Sequence, residues 1–211
     1  MTRSALARGL YFFGRFLRHP RQVGALLPSS RHLGDAMVRD LALRPDDVVV
    51  EYGPGTGALT ATIARRVAAA GGRYLGIERD AGFHAMLQQR FAELDFEHGD
   101  VLEVRDILAS RGLPAPRAIL SGLPLILLPA MDAIVDTAAE LLPVGGEFRT
   151  FSYLQSYVTP GASRLRQRMR QRFTGFTMGR LVLRNLPPAW VMRGVVAERE
   201  ASRWAVDPMG H

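Results

Sequence analysis

The chain contains no cysteine, which removes disulfides, thiolate metal sites and cysteine nucleophiles from consideration. It also contains no lysine: all 27 basic residues are arginine, a usage that points to a GC-rich genome rather than to a chemical role. The five histidines are scattered, with no pair at metal-ligand spacing, so no metal is expected. No apolar run approaches the ~20 residues that a membrane-spanning helix needs. The N-terminal residues are interrupted by Arg3, Arg8 and Arg15 and are not followed by a small-residue cleavage site. That does not fit a secretory signal, and a cytoplasmic location is expected.

What is present is a chain of 211 residues with ordinary hydrophobic (47%) and charged (22%) content and a net charge of +7. The isoelectric point is about 10.8. This length suits one domain that buries roughly 70% of its unfolded surface. The positive balance points to a polyanionic partner, either nucleic acid or an anionic membrane surface. Residues 2–18 read as a helix with Leu6, Leu10, Phe13 and Leu17 on one face and Arg3, Arg8, Arg15 and Arg18 on the other. A basic amphipathic helix of this kind suits the membrane interface. An ordinary surface helix packed on a core would show the same pattern.

The chemistry is concentrated where strands end. Val48-Val-Val-Glu-Tyr-Gly-Pro-Gly-Thr-Gly-Ala-Leu-Thr60 joins a buried β-branched strand to a glycine loop and then a helix. Gly53, Gly55 and Gly57, with Thr56 between them, let a ligand approach the backbone. Glu51 precedes the glycines and Pro54 sits among them, so the spacing is not the G-x-G-x-x-G of a dinucleotide-binding loop. Tyr74-Leu-Gly-Ile-Glu78, followed by Arg79, is a second strand ending in an acid suited to two ribose hydroxyls. Gly99-Asp100-Val101 supplies a third junction, whose bland reading is a turn. Strands at 47–52, 73–78, 94–98, 116–121 and 146–153 alternate with helices at 58–69, 81–92 and 130–141, which implies a parallel sheet covered on both faces. A further helix is expected over 32–43, with Ser29 or Ser30 as its N-cap. A final hairpin is expected around Leu186-Pro-Pro.

The ordered set of acid, glycine loop, acid and Gly-Asp resembles the class I S-adenosylmethionine-dependent methyltransferases. Gly24-Ala-Leu-Leu-Pro-Ser-Ser-Arg31, Ser121-Gly-Leu-Pro-Leu125 and Arg184-Asn-Leu-Pro-Pro-Ala189 further resemble the bacterial phospholipid N-methyltransferases, soluble membrane-associated enzymes that methylate phosphatidylethanolamine. The resemblance covers residues 15–197. It implies an α/β, Rossmann-like fold with a seven-stranded, mostly parallel sheet, an antiparallel last strand and N-terminal amphipathic helices. The expected organisation is a helical extension over 1–43, a methyltransferase core over 44–197 and a frayed tail over 198–211.

The resemblance also implies S-adenosylmethionine as methyl donor, with S-adenosylhomocysteine as product. Its expected ligands are Ser29, Ser30, Glu51, Gly53, Gly55, Thr56, Gly57, Glu78, Arg79, Asp100, Val101 and Ser121, with Asp100 on the adenine. Ser121 and Gly122 are expected at the amine, and Tyr153, Tyr157 and His19 are candidates to take its proton. Arg18, Arg21 and Arg31 are candidates for the lipid phosphate. The expected partners are a phospholipid and, through residues 2–18, the anionic inner face of the membrane, with neither nucleic acid nor an obligate protein partner. A related group, the rRNA adenine dimethyltransferases, carries an aromatic residue where this chain has Leu125, and that ring stacks on the base. Stacking is worth roughly 1–3 kcal/mol per base, so its absence disfavours a nucleobase acceptor. RNA adenine methylation and non-catalytic cofactor binding at a membrane are the alternatives.

Overall fold

The computed structural model describes residues 31–197. The expectations for the helix over 2–18, for Arg18, His19, Arg21, Ser29 and Ser30, and for the tail over 198–211 lie outside the described residues. In chain order the elements are α1 (Arg31–Val38), β1 (Val48–Tyr52), α2 (Thr60–Ala68), β2 (Arg73–Glu78), α3 (Ala81–Arg90) and β3 (Asp95–His98). A 3₁₀ turn (Val101–Glu103) then runs into α4 (Val104–Ser110) and β4 (Ala118–Ser121). A second 3₁₀ turn (Leu125–Leu127) precedes α5 (Met131–Leu141) and β5 (Glu147–Tyr153). A third (Leu154–Ser156) precedes α6 (Pro160–Arg172), β6 (Gly175–Val182) and β7 (Ala189–Val195).

The seven strands form one sheet in the order β3-β2-β1-β4-β5-β7-β6. The pairings from β3 through β5 are parallel, and β7 runs antiparallel to both of its neighbours. This is the expected Rossmann-like sheet. Strand order reverses direction between β1 and β4, and ligands of open α/β sheets bind beyond the carboxyl ends of the strands at such a point.

β1 is buried along its whole length, which explains its unbroken β-branched run. Its side chains alternate between two cores. Val48, Val50 and Tyr52 pack with Leu75, Ile77, Ile119 and Phe148 on the α4–α6 face. Val49 packs with Ile63, Leu87 and Leu120, and with Leu33 and Met37 of α1, on the other. The same alternation sends Glu51 to the α1–α3 face.

Two elements differ from expectation. α1 stops at Val38 rather than Leu43, and Asp40 takes a left-handed conformation at φ 56°. The released carbonyls of Met37 and Arg39 accept hydrogen bonds from Arg149 Nη1 at 3.0 and 2.5 Å. Arg149 is itself held by Glu147 on the same strand at 2.6 Å, and Arg193 of β7 completes the triad at 2.7 Å. α1 is therefore packed on one face of the sheet and also tied to β5 by hydrogen bonds.

The second is the segment 164–172, whose alternating arginines read in sequence as a solvated cationic stretch whose charges a helix would spread widely. It forms α6, capped by Thr159 with Pro160 in the first turn. Arg164, Arg168 and Arg172, spaced four apart, meet Asp132, Asp136 and Glu140, spaced four apart on α5. The pairing follows from the helical repeat, which stacks residues four apart on one face.

Candidate functional site

A cavity of about 1370 Å³ opens at the carboxyl ends of β1, β2, β4 and β5. Its walls come from the loops that leave those strands, and backbone hydrogen bonds set each loop's first residue. Gly53 N donates to Ile77 O at 3.0 Å, Gly99 N to Glu78 O at 3.1 Å and Gly122 N to Tyr52 O at 2.8 Å.

Gly53, Gly55 and Gly57 all have positive φ. At Gly53 (φ +65°) a Cβ would fall 2.3 Å from Leu123 Cδ2, and at Gly122 a Cβ would fall 2.8 Å from Gly53 O. The glycine loop and the 121–125 loop thus approach closely because Gly53 leaves room for the Leu123 side chain and Gly122 leaves room for the Gly53 carbonyl. Arg90, the last residue of α3, donates to Thr56 O at 2.9 Å and pins the outer edge of the glycine loop.

Glu51 lines the cavity at 1% exposure. Its Oε2 accepts from Thr60 Oγ1 at 2.9 Å and from Tyr74 Oη at 2.5 Å. Its Oε1 is buried without a partner. Burial pushes the Glu51 carboxyl up to about 7, against the two hydrogen bonds that lower it, and the nearby Glu78 charge adds to the rise. A buried carboxylate oxygen with no donor is costly, and a cationic ligand group would relieve that cost. Glu78 closes the far side of the loop: Oε2 accepts from Gly55 N and Oε1 from Asp80 N, each at 2.9 Å.

Asp100 lines the cavity and caps the turn after β3, its Oδ1 accepting from Leu102 N at 3.0 Å. The turn reading and the ligand reading of this residue are therefore compatible. Val101, 7% exposed, lies beside it on the wall. Arg79 reaches across to Asp100 at 3.6 Å with its side chain 81% exposed. Orphaned Glu51 Oε1, the side-chain-free cradle and two further acids are a fitting donor set for a cationic nucleoside.

The remaining expected residues divide. Gly122 and Tyr153 line the cavity. Ser121 is fully buried and outside the lining, because it is the last residue of β4 and its Oγ accepts from Leu123 N at 3.3 Å. Its side chain here shapes the loop. Tyr157 also lies outside the lining: the 3₁₀ turn swings its ring against Trp190 at 4.9 Å, beneath the Arg166 guanidinium. Arg31 is exposed at the start of α1 and does not line the cavity. Leu125, read as the missing aromatic, is 2% exposed and belongs to the core while touching the wall.

Sequence reasoning missed most of the apolar wall. Leu123, Ile126, Leu127, Leu128 and Ile134 line one side, and Phe83, Phe151, Ser152 and Pro187 complete it. The signal was the apolar run Leu123–Pro129 directly after a functional motif. Ser152 Oγ is buried there without a partner.

No family model matches the chain. An ornithine lipid N-methyltransferase from Singulisphaera acidiphila is 32% identical over 191 residues, spanning 87% of this chain and 95% of that protein. A ribosomal RNA small subunit methyltransferase A from Geobacter metallireducens is 35% identical over 104 residues, or 47% of this chain; the match spans only 36% of that protein. Among solved structures, an S-adenosylmethionine-dependent O-methyltransferase from Thermotoga maritima superimposes with a TM-score of 0.63 at 16% identity, over 87% of this chain and 72% of that one.

Proposed function

Because this chain belongs to the lipid N-methyltransferases, within the class I S-adenosylmethionine-dependent methyltransferases, we propose that it methylates the amine of phosphatidylethanolamine and its mono- and dimethyl derivatives toward phosphatidylcholine. The single observation that carries this reading is the apolar wall adjoining the glycine loop. Leu123, Ile126, Leu127 and Leu128 offer an acyl chain a surface within the same cavity as Glu51 and the glycines. The buried Leu125 offers a nucleobase no stacking ring.

When bound, S-adenosylmethionine supplies a methyl group made electrophilic by its sulfonium. The chain's residues would hold it through Gly53, Gly55, Thr56 and Gly57 around the amino-acid portion, with Glu51 Oε1 beside the positive charge. Glu78 would meet the ribose, and Asp100 and Val101 the adenine. The acceptor amine titrates in the range of lysine and α-amines, so it must shed a proton before it can attack. Partial desolvation between the apolar wall and a neighbouring cation lowers that pKa. Carbonyls of the 121–122 segment would direct the amine, and Tyr153 stands on the cavity wall to receive or relay the proton. The tightly apposed loops keep the acceptor on line, and fixed geometry of this kind supplies much of a displacement's acceleration. Lipid phosphate is assigned to Arg18 and Arg21, and an inner-membrane location follows from the helix expected over 2–18.

The test is methyl transfer from labelled S-adenosylmethionine to vesicles of phosphatidylethanolamine with an anionic lipid. Ornithine lipid and unmodified rRNA serve as parallel acceptors. Label in mono-, di- or trimethylated phosphatidylethanolamine is expected. Label confined to ornithine lipid would move the headgroup to that of the relative, and label confined to RNA would overturn the lipid reading.

A further inference from the structure

Seven large hydrophobic side chains are exposed among the described residues. Val144 lies between α5 and β5, at the end of the sheet away from the cavity. The other six gather at the cavity end: Leu102 on the wall, Leu154, Tyr157 and Val158 after β5, and Leu183 and Leu186 between β6 and β7. Val158 is 88% exposed and Leu183 72%.

The two connections form one edge. Leu154 N donates to Pro188 O at 2.8 Å, and the Tyr157 ring rests on Trp190. Gln155, Ser156 and Pro187, drawn from the same two connections, belong to the cavity wall. The protruding side chains therefore stand beside the mouth.

The charge of this region is one-sided. Residues 148–197 contain nine arginines and no acidic residue. Arg164, Arg168 and Arg172 are paired with acids of α5, and Arg149 and Arg193 share Glu147. Arg180 and Arg184 are exposed with no carboxylate partner among the described residues. Arg166 lies over the Tyr157 ring, 4.3 Å from its centroid, where an aromatic residue holds it toward the same edge.

We propose that this edge is a docking surface for an anionic lipid bilayer, with Val158, Leu183 and Leu186 entering the acyl boundary and Arg166, Arg180 and Arg184 meeting lipid phosphates. Single leucines raised on turns suit insertion between lipids, whereas a protein interface requires a broad packed centre. Guanidinium groups bind phosphate bidentately. The inference rests on the lipid reading above and adds the route: a lipid amine reaches the cavity from a bilayer held against its mouth. It is independent of the helix expected over 2–18.

The full chain is tested by sedimentation with vesicles of phosphatidylcholine alone and with added phosphatidylglycerol. The double variant L183S/L186S is expected to lower partition into anionic vesicles about tenfold, by loss of apolar insertion. R180Q/R184Q is expected to lower it about fivefold per arginine and to reduce its salt dependence. V144S, changed at the opposite end, is the control and should bind like the wild type. Cofactor affinity by calorimetry reports that the variants are folded. Partition of L183S/L186S and R180Q/R184Q equal to wild type would overturn the docking surface. Methyl transfer to a short-chain, water-soluble phosphatidylethanolamine is measured in parallel. Its failure, with vesicle binding still sensitive to Leu183 and Leu186, would sink the headgroup and leave the surface standing.

Discussion

Tyr74 on β2 donates its hydroxyl hydrogen to Glu51 Oε2 on β1, at 2.5 Å, and in doing so determines which carboxylate oxygen is left for a ligand. Thr60, at the start of α2, donates to the same oxygen. One oxygen ties two strands and a helix together; the other is buried beside the cavity with no donor. Structure and ligand chemistry share a single side chain.

Glu51→Gln should therefore stabilise the free protein while weakening cofactor binding. The folded pKa of about 7 lies above the unfolded value of 4.5. The native state thus holds a proton that the unfolded state releases, and stability falls as pH rises between these values. A raised pKa of this size corresponds to about 3 kcal/mol lost by pH 8, which glutamine would not lose. Thermal melting of both proteins from pH 4.5 to 8, alongside calorimetric titration of S-adenosylmethionine, checks the sign. Parallel melting curves across that range would refute it. In wild type, affinity should rise with pH through about 7, as Glu51 ionises.

Gly53→Ala should separate the two loops. The new Cβ meets Leu123, and the backbone sits at φ +65°, so left-handed strain of ~1–2 kcal/mol adds to the clash. Cofactor affinity is expected to fall more than tenfold with a melting-temperature loss of several degrees. Unchanged affinity would show that the loop opposite does not need to approach this closely.

Glu147→Ala should be among the most damaging changes outside the cavity. Burial raises the Glu147 carboxyl, but Arg193 and Arg149 outweigh burial and hold it below its ordinary value. Its contribution is thus present above about pH 4.5 and is lost as pH falls through the lowered folded value. Removing it strands Arg149 in the core, at a cost of roughly 3–5 kcal/mol. Urea denaturation at pH 7 measures the loss, and the double change Glu147→Leu with Arg149→Met should recover part of it.

Tyr153→Phe and Tyr157→Phe should differ. Tyr153 is on the cavity wall and Tyr157 is stacked outside it. The first is expected to lower kcat about tenfold to 100-fold, at the modest end of proton-transfer effects, with a shifted pH profile. The second should leave kcat on a water-soluble lipid within about twofold, since only a hydroxyl away from the chemistry is lost. Equal effects would remove Tyr153 from the proton path.

The ends of β1 and β2 were legible because each combines a buried run, an acid and a glycine within a few residues. No tertiary knowledge is needed to see that Val48–Val50 is a central strand or that Glu51 ends beside a loop. The burial of the Ser121 side chain was not legible, for the opposite reason. It depends on which way the last residue of β4 turns, and that is decided by pairing with Tyr52 of β1, which is distant in sequence. Tyr157 likewise depends on a 3₁₀ turn whose direction is set by Pro188. The α6 arginines could have been read. Their spacing of four repeats that of Asp132, Asp136 and Glu140, but only a view of both helices together reveals the match. The triad of Arg149, Glu147 and Arg193 had no comparable local signature, since it joins three elements through a carboxylate that looks like an ordinary strand-edge charge.

The division of charge along the chain has one more effect. Seventeen of the twenty acidic residues lie at or before Glu147, and the other three begin at Glu198, so the cationic edge carries no opposing sign of its own. An exposed edge of one sign gives the attraction a direction as well as a strength. Within the ~8 Å over which physiological salt lets fields act, a negative plane exerts a torque on the protein as well as a pull. Collisions would then be sorted by orientation before any side chain touches, and encounter frequency, not residence time alone, would respond to where the arginines sit.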